Sequence, residues 1–145
     1  MEIRQISIQL ENKPGQLSRI SELLGKEGIN LGAISIADTA DSSVIRIIAD
    51  DPDKAMQVLG NAGFSHAKFR EVIAVETPDH PGGLSAILRP LAQAKINVLY
   101  LYPYLRRIRG NAILIFRVSD EDLENAYRAL RESWIQILDE EIYSL

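Results

Sequence analysis

The sequence predicts an α+β fold built from two tandem βαββαβ units, residues 1–70 and 71–145, each an antiparallel sheet with its helices on one face. Three observations lead there. Pro14-Gly15 falls on Pro81-Gly82 when the chain is slid against itself by 67 positions, strand-like and helix-like apolar spacings then follow in the same order in both halves, and no Gly/Pro/Ser-rich linker separates the halves. In the same register Leu17 meets Leu84, Ile20 meets Ile87, Leu24 meets Leu91 and Ile29-Asn30 meets Ile96-Asn97. The offset grows to 70 at Ile45/Ile115 and Asp50/Asp120, and to 71 at Ala55/Ala126 and Leu59/Leu130, so the length changes fall in loops.

Each unit opens on an alternating segment, Ile3, Ile6, Ile8 and Leu10 in the first and Ile73, Val75 and Thr77 in the second, which predicts half-buried strands. The Pro-Gly pair then starts a helix. Leu17, Ile20, Leu23 and Leu24 form an apolar stripe ending at Glu27-Gly28, and Leu84, Ile87, Leu88 and Leu91 repeat it, with Pro90 predicting a kink or early end. A hairpin follows, Ile29 to Ile36 with Val44 to Ala49, matched by Ile96 to Leu105 with Ala112 to Val118. Acidic residues at Asp51-Pro52 and Asp120-Glu121-Asp122 suit helix starts, predicting second helices over Asp53 to Ala62 and Leu123 to Glu132. Last strands are predicted near Ala67 to Arg70 and Trp134 to Leu138, without a sequence signal that separates the first of these from the strand leading to Val75. The order is the split βαβ, or ferredoxin-like, pattern.

Units of this size are marginal alone, so they are expected to pack on each other or on another chain. Val98, Tyr100, Tyr102 and Tyr104 alternate with Leu99, Leu101, Pro103 and Leu105, a strand apolar or aromatic on both sides. Such a strand is usually buried twice or part of an interface, and a homodimer is expected from it.

Composition narrows the function classes. The net charge is -4, with eight basic and ten acidic groups on each side of Val72, so neither half is a basic nucleic-acid surface. Arg106, Arg107 and Arg109 beside Gly110 read first as a hairpin tip. Without cysteine the chain has no thiolate nucleophile or thiolate metal site, and His66 and His80 are not spaced as a ligand pair. No apolar run approaches a membrane span, and cytoplasm is the expected compartment. The serines lack histidine and acid partners, Gly82-Gly83 lacks the rest of a phosphate-binding loop, and Asp50-Asp51-Pro52-Asp53 reads as a turn and cap. Neither catalysis nor a cofactor is expected.

The residues that draw attention are Asn12-Lys13-Pro14-Gly15 and Asp79-His80-Pro81-Gly82, each between a strand end and a helix start. Free N–H groups of a helix's first turn favour a carboxylate or phosphate, and Gly lets a ligand approach the backbone. Ordinary capping by Asn or Asp explains the same residues. Asn30 and Asn97, each after an apolar Ile at the start of a second strand, are locally unfavourable unless they turn the chain or bond something beyond it.

With these residues the whole chain resembles a tandem pair of ACT domains, small βαββαβ units that bind amino acids and other metabolites in regulated enzymes and stand-alone regulators. The family's Asp/Asn near Pro-Gly-x-Leu matches Asn12 to Leu17 and Asp79 to Leu84, and its Ile/Val-Asn matches Ile29-Asn30 and Ile96-Asn97. The resemblance implies a non-catalytic sensor that binds a small amino acid at an interface between units and signals to a regulated enzyme subunit. It implies ligand contacts from Asn12, Gly15, Asn30 and Leu31 in the first copy and from Asp79, Gly82, Asn97 and Val98 in the second. Asp79 is the better ammonium partner because Lys13 stands beside Asn12, which favours the second loop. A structural or protein-interaction module is the alternative, and a small-metabolite enzyme ranks last.

Overall fold

The computed structural model describes residues 3–11, 13–38 and 42–145. Contacts divide them into one unit of Arg4–Arg70 and another of Glu71–Tyr143. In the first, β1 (Ile3–Glu11), α1 (Gln16–Lys26), β2 (Leu31–Asp38), β3 (Ser42–Ala49) and α2 (Pro52–Asn61) precede β4 (Lys68–Thr77). In the second, β4 is followed by α3 (Gly83–Gln93), β5 (Tyr100–Pro103), β6 (Ala112–Arg117), a 3-10 turn at Asp120–Asp122, α4 (Leu123–Glu132), β7 (Ile137–Leu138) and a 3-10 segment at Glu140–Ser144. The two strands that the sequence left unseparated are thus one strand, β4. No described helix is long and apolar enough to cross a membrane.

Both units use the order second, third, first, fourth strand. In the first unit β2 pairs with β3, β3 with β1, and β1 neighbours β4; in the second the order is β5, β6, β4, β7. Register follows the apolar alternation. Ile6 faces Ile47 and Ile8 faces Ile45, which puts all four on the helix side with Ile20, Leu24, Ala55 and Leu59. In the second sheet Ile73 and Leu101 face Phe116, and this side packs on Ile87, Leu91, Ala126 and Leu130. Each fully buried Ile or Leu contributes about 1.5–3 kcal/mol, so these two clusters dominate the stability of their units.

Several details differ from the sequence expectation. Leu17 and Leu84 head the apolar stripes but are exposed, standing in the first turns of α1 and α3. Helix α3 runs through Pro90 to Gln93, with the Pro90 carbonyl accepting from the Ala94 N–H at 3.1 Å. The strand predicted over Ile96 to Leu105 keeps regular pairing only at Tyr100–Pro103, extended by Leu99 N–H to Arg117 O and Tyr104 N–H to Ile113 O. Val98 and Leu101 both pack on the helix-side core, so the strict two-residue alternation fails between them. On the tyrosine side Tyr102 and Tyr104 are buried, and the Tyr104 hydroxyl donates to the Ile142 carbonyl at 2.9 Å. The predicted turn at 39–41 lies outside the described residues.

All four helices end alike. After each comes a residue of positive φ, Gly28 (71°), Gly63 (94°), Lys95 (60°) and Trp134 (61°). The next N–H, from Ile29, Phe64, Ile96 or Ile135, then bonds back to Leu24, Leu59, Leu91 or Leu130 at 2.9–3.0 Å. This closure satisfies helix-end carbonyls and suits Gly, since a left-handed residue with a bulky side chain is strained. Trp134 is 94% exposed, so burial does not offset that strain. Trp134→Gly is expected to raise stability by about 0.5–1 kcal/mol, the strain relieved less the added freedom of the unfolded chain, measured by urea unfolding at neutral pH.

Candidate functional site

The two Pro-Gly loops share one geometry. Gly15 and Gly82 both have φ 89°, stand at the N-cap of α1 and α3, and supply no capping side chain. Their carbonyls accept from Arg19 and Ala86 N–H at 3.0 Å, which starts each helix. Asn12 lies outside the described residues. Asp79 does not cap α3; its carboxylate accepts from the Arg107 guanidinium at 2.8 Å in an exposed pair. The ordinary-capping reading therefore does not hold for Asp79. His80 sets Nδ1 2.8 Å from the Pro81 carbonyl. The second loop is also the tighter one. A Cβ on Gly83 would stand 2.2 Å from the Pro78 carbonyl, whereas the first copy has Gln16 at this place, and the buried Thr77 hydroxyl donates to the Gly83 carbonyl at 3.2 Å.

Asn30 and Asn97 stand elsewhere. The Asn30 N–H donates to Asp50 Oδ1 at 3.1 Å and its carbonyl accepts from the Asp50 N–H at 3.0 Å, so Asn30 clamps the end of β3. Leu31 pairs with Ala49, while the loop at Gly15 follows Glu11, which pairs with Ser42 at the other end of β3. In the second unit Asn97 precedes Leu99, bonded to Arg117, whereas Gly82 follows Thr77, paired with Ala112 at the far end of β6. Within one unit, loop and asparagine occupy opposite ends of the sheet. Leu31 and Val98 pack their side chains against the cores of their own units.

Of what gathers at the first loop, only Lys13, Gln16 and Leu17 belong to the motif that the sequence singled out. Beside the first loop, Leu10, Glu11, Lys13, Gln16, Leu17, Ile36, Asp38, Ser43 and Ile45 enclose a pocket of about 220 Å³. Lys13 pairs with Glu11, and the Ser43 hydroxyl donates to Asp38 at 2.7 Å. That ion pair holds the Glu11 carboxyl below and the Lys13 amine above their ordinary values, through the hydrogen bond first and the opposite charge second. Opposite charges and exposed aliphatic side chains therefore share one small space. The available signal was the surplus apolar residue of each strand end and first turn, Ile36 and Leu17.

The hairpin of β5 and β6 closes in a two-residue turn at Arg109-Gly110, both of positive φ, between Ile108 and Asn111. The arginines form the tip as expected, and Arg107 and Arg109, though exposed, are each paired with a carboxylate. Arg109 and Asn111 both donate to Glu76, whose side chain is only 10% exposed. The Arg109 hydrogen bond first and the Asn111 one next hold the Glu76 carboxyl below its ordinary 4.5. Next to this cluster a cleft of about 660 Å³ runs past Ile87 to Trp134 and Gln136.

A carboxyl held low stabilises the fold above its unfolded value, and that contribution disappears as pH falls through the lower folded value. Glu76→Gln is expected to cost about 1–2 kcal/mol at neutral pH. The difference from wild type should shrink below the ordinary value of 4.5. Urea unfolding across that range checks it, and a pH-independent difference would rule out a role for the charge.

Residues 1–144 match the family described as the ACT domain pair. Protein BT0572 from Bacteroides thetaiotaomicron is 34% identical with a TM-score of 0.88, over 100% of this chain and 98% of that one. The regulatory subunit of aspartate kinase from Thermus thermophilus shares the fold at 15% identity and a TM-score of 0.64, over 92% of this chain and 94% of that one. The acetolactate synthase small subunit of Buchnera aphidicola subsp. Baizongia pistaciae is 29% identical over 102 residues, 69% of this chain, which spans 60% of that relative's length. ACT domains are regulatory rather than catalytic modules, and from the match across both of its units this chain belongs to the ACT domain pair family.

Proposed function

We propose that the chain is the non-catalytic regulatory partner of a separate catalytic subunit, and that it senses a small aliphatic amino acid. The observation that carries this reading is the pocket beside the first Pro-Gly loop. Lys13 and the first-turn N–H groups of α1 suit a carboxylate, Asp38 and Glu11 suit an ammonium, and Leu17 with Ile36 suits an aliphatic side chain. The second loop has Asp79 for the same ammonium, but that ligand must displace Arg107. The Buchnera relative is a small subunit of an enzyme, which supports a partner of the same kind here.

Calorimetric titration with the twenty amino acids tests the reading. A small aliphatic amino acid is expected to bind saturably, and Asp38→Asn to weaken it at least about tenfold, equivalent to roughly 1.4 kcal/mol. Asp79→Asn and Asn97→Ala should leave that affinity within about twofold; a tenfold loss in either moves the site to the second loop's chemistry. If none of the twenty binds at millimolar concentration, amino-acid sensing is wrong.

A homodimer is part of the same proposal. Leu99 and Leu105, 51% and 66% exposed, flank β5, which is hydrogen-bonded to β6 along one side. Unpaired strand edges with apolar flanks favour association. Sedimentation equilibrium should show a dimer that Leu105→Asp shifts towards monomer, and a wild-type monomer at micromolar concentration excludes it.

A further inference from the structure

The first unit contains a bound cation of its own making. The Arg19 guanidinium donates to the Ala62 carbonyl at 3.0 Å and lies 4.9 Å from the centroid of the Phe64 ring. Ala62 is the C-cap of α2, where the helix presents its negative pole, so hydrogen bond, aromatic face and helix end all favour the cation.

The second unit keeps this frame and removes the cation. Ile87 and Leu91 take the buried places of Ile20 and Leu24, which fixes Ala86 at the position of Arg19. Ser133 caps α4 as Ala62 caps α2, and the left-handed residue that follows is Trp134 instead of Gly63. Where the guanidinium would lie there is the cleft of about 660 Å³, lined by Glu76, Ala86, Arg109, Ser133, Trp134 and Gln136.

We propose that this cleft binds a guanidinium group, brought either by free arginine or by an arginine side chain of a partner protein. The Ser133 carbonyl corresponds to the acceptor that Arg19 uses in the first unit. Trp134 supplies the aromatic face most favourable to a cation; the helix closure sets its left-handed backbone, but neither packing nor that closure requires an indole there, and it stands almost wholly exposed. Arg109 at the rim carries the same charge as the ligand, but it is already paired with Glu76, and the C-terminal end of α4 adds negative potential. Arg131, the basic residue in the last turn of α4, is turned to the Tyr127 ring, 5.5 Å from its centroid. The inference does not rest on the amino-acid pocket, which belongs to the other unit.

Trp134 is the chain's one tryptophan, so its fluorescence reports the site directly. Titrating the full chain with methylguanidinium, against sodium chloride at equal ionic strength, should give a saturable change in the millimolar range, and citrulline should give none. Ala86→Arg returns to the second unit the guanidinium that the first unit already accommodates, and should weaken binding at least about tenfold. Trp134→Gly, followed by calorimetry, should weaken it at least about threefold while the protein stays folded. Tighter binding of L-arginine than of N-acetyl-arginine amide assigns the site to the free amino acid, and the reverse assigns it to a protein side chain. A response that remains linear to about 20 mM, or undiminished binding by both variants, overturns the proposal.

Discussion

Everything in either unit depends on how a helix hands the chain back to the sheet. One left-handed residue reverses the direction, and the next N–H, already belonging to an apolar residue, bonds to the helix's own last buried leucine: Ile29 to Leu24, Phe64 to Leu59, Ile96 to Leu91, Ile135 to Leu130. The bond and the burial reinforce each other, because the leucine that accepts is in the core and the residue that donates packs against the same core. Helix length, the entry of the next strand and the strand's register are thereby coupled. The register then sets which side of each sheet is apolar, and a slip of one residue would turn Ile6, Ile8, Ile45 and Ile47 away from the helices.

This coupling explains why the fold was largely legible in the sequence. Period-2 and period-3.6 spacings were visible at Ile6/Ile8, Ile20/Leu24 and Ile87/Leu91, and the repeat doubled each signal. The misreadings fall where burial and periodicity part company. Leu17 and Leu84 have helical spacing but stay exposed in the first turns of their helices. Val98 and Leu101 are not of one parity yet share a core, an irregularity that no two-residue rule anticipates, and the first sheet has its own irregularity between Leu31 and Ala33, at the same place in the repeat. The start of β4 could not be separated from its end because no break in hydrogen bonding or composition exists there.

The candidate site was less legible, for a reason of chain distance. Gly15 and Gly82 announce themselves through a motif of neighbouring residues, and their geometry is the same in both units. Partners drawn from elsewhere in the chain do not. Asp79 looked like a free carboxylate, whereas Arg107, 28 residues away, already holds it. Asn30 looked like a ligand group near the loop, whereas antiparallel pairing carries it to the opposite end of the sheet and sets its backbone on Asp50. A hydrogen-bonding side chain next to a motif is weak evidence of a site until the pairing of strands is known, because pairing decides which sequence-distant groups compete for it.

Duplication offers a remedy that single-copy folds lack. Two copies of one frame are each other's control: where both keep a residue, the frame alone can explain it, and where they differ, the frame cannot. The shared glycines at the loop ends fall in the first class. Gln16 against Gly83, Arg19 against Ala86 and Gly63 against Trp134 fall in the second. The last two lie together in space within their own units, around the cap of the second helix, and they change in opposite senses. One copy has the cation and a glycine at the helix end; the other lacks the cation and carries an exposed indole on a strained backbone. Loss of fit in the second copy would account for an empty cleft, but not for an indole in a conformation that glycine adopts without strain. The second copy also has Lys95 at φ 60° where the first has Gly28, so a left-handed residue other than glycine is no functional mark by itself. What sets Trp134 apart is its exposed indole beside the place of the missing guanidinium, and that pairing is the ground of the proposal, separate from the Pro-Gly loops that the two copies share.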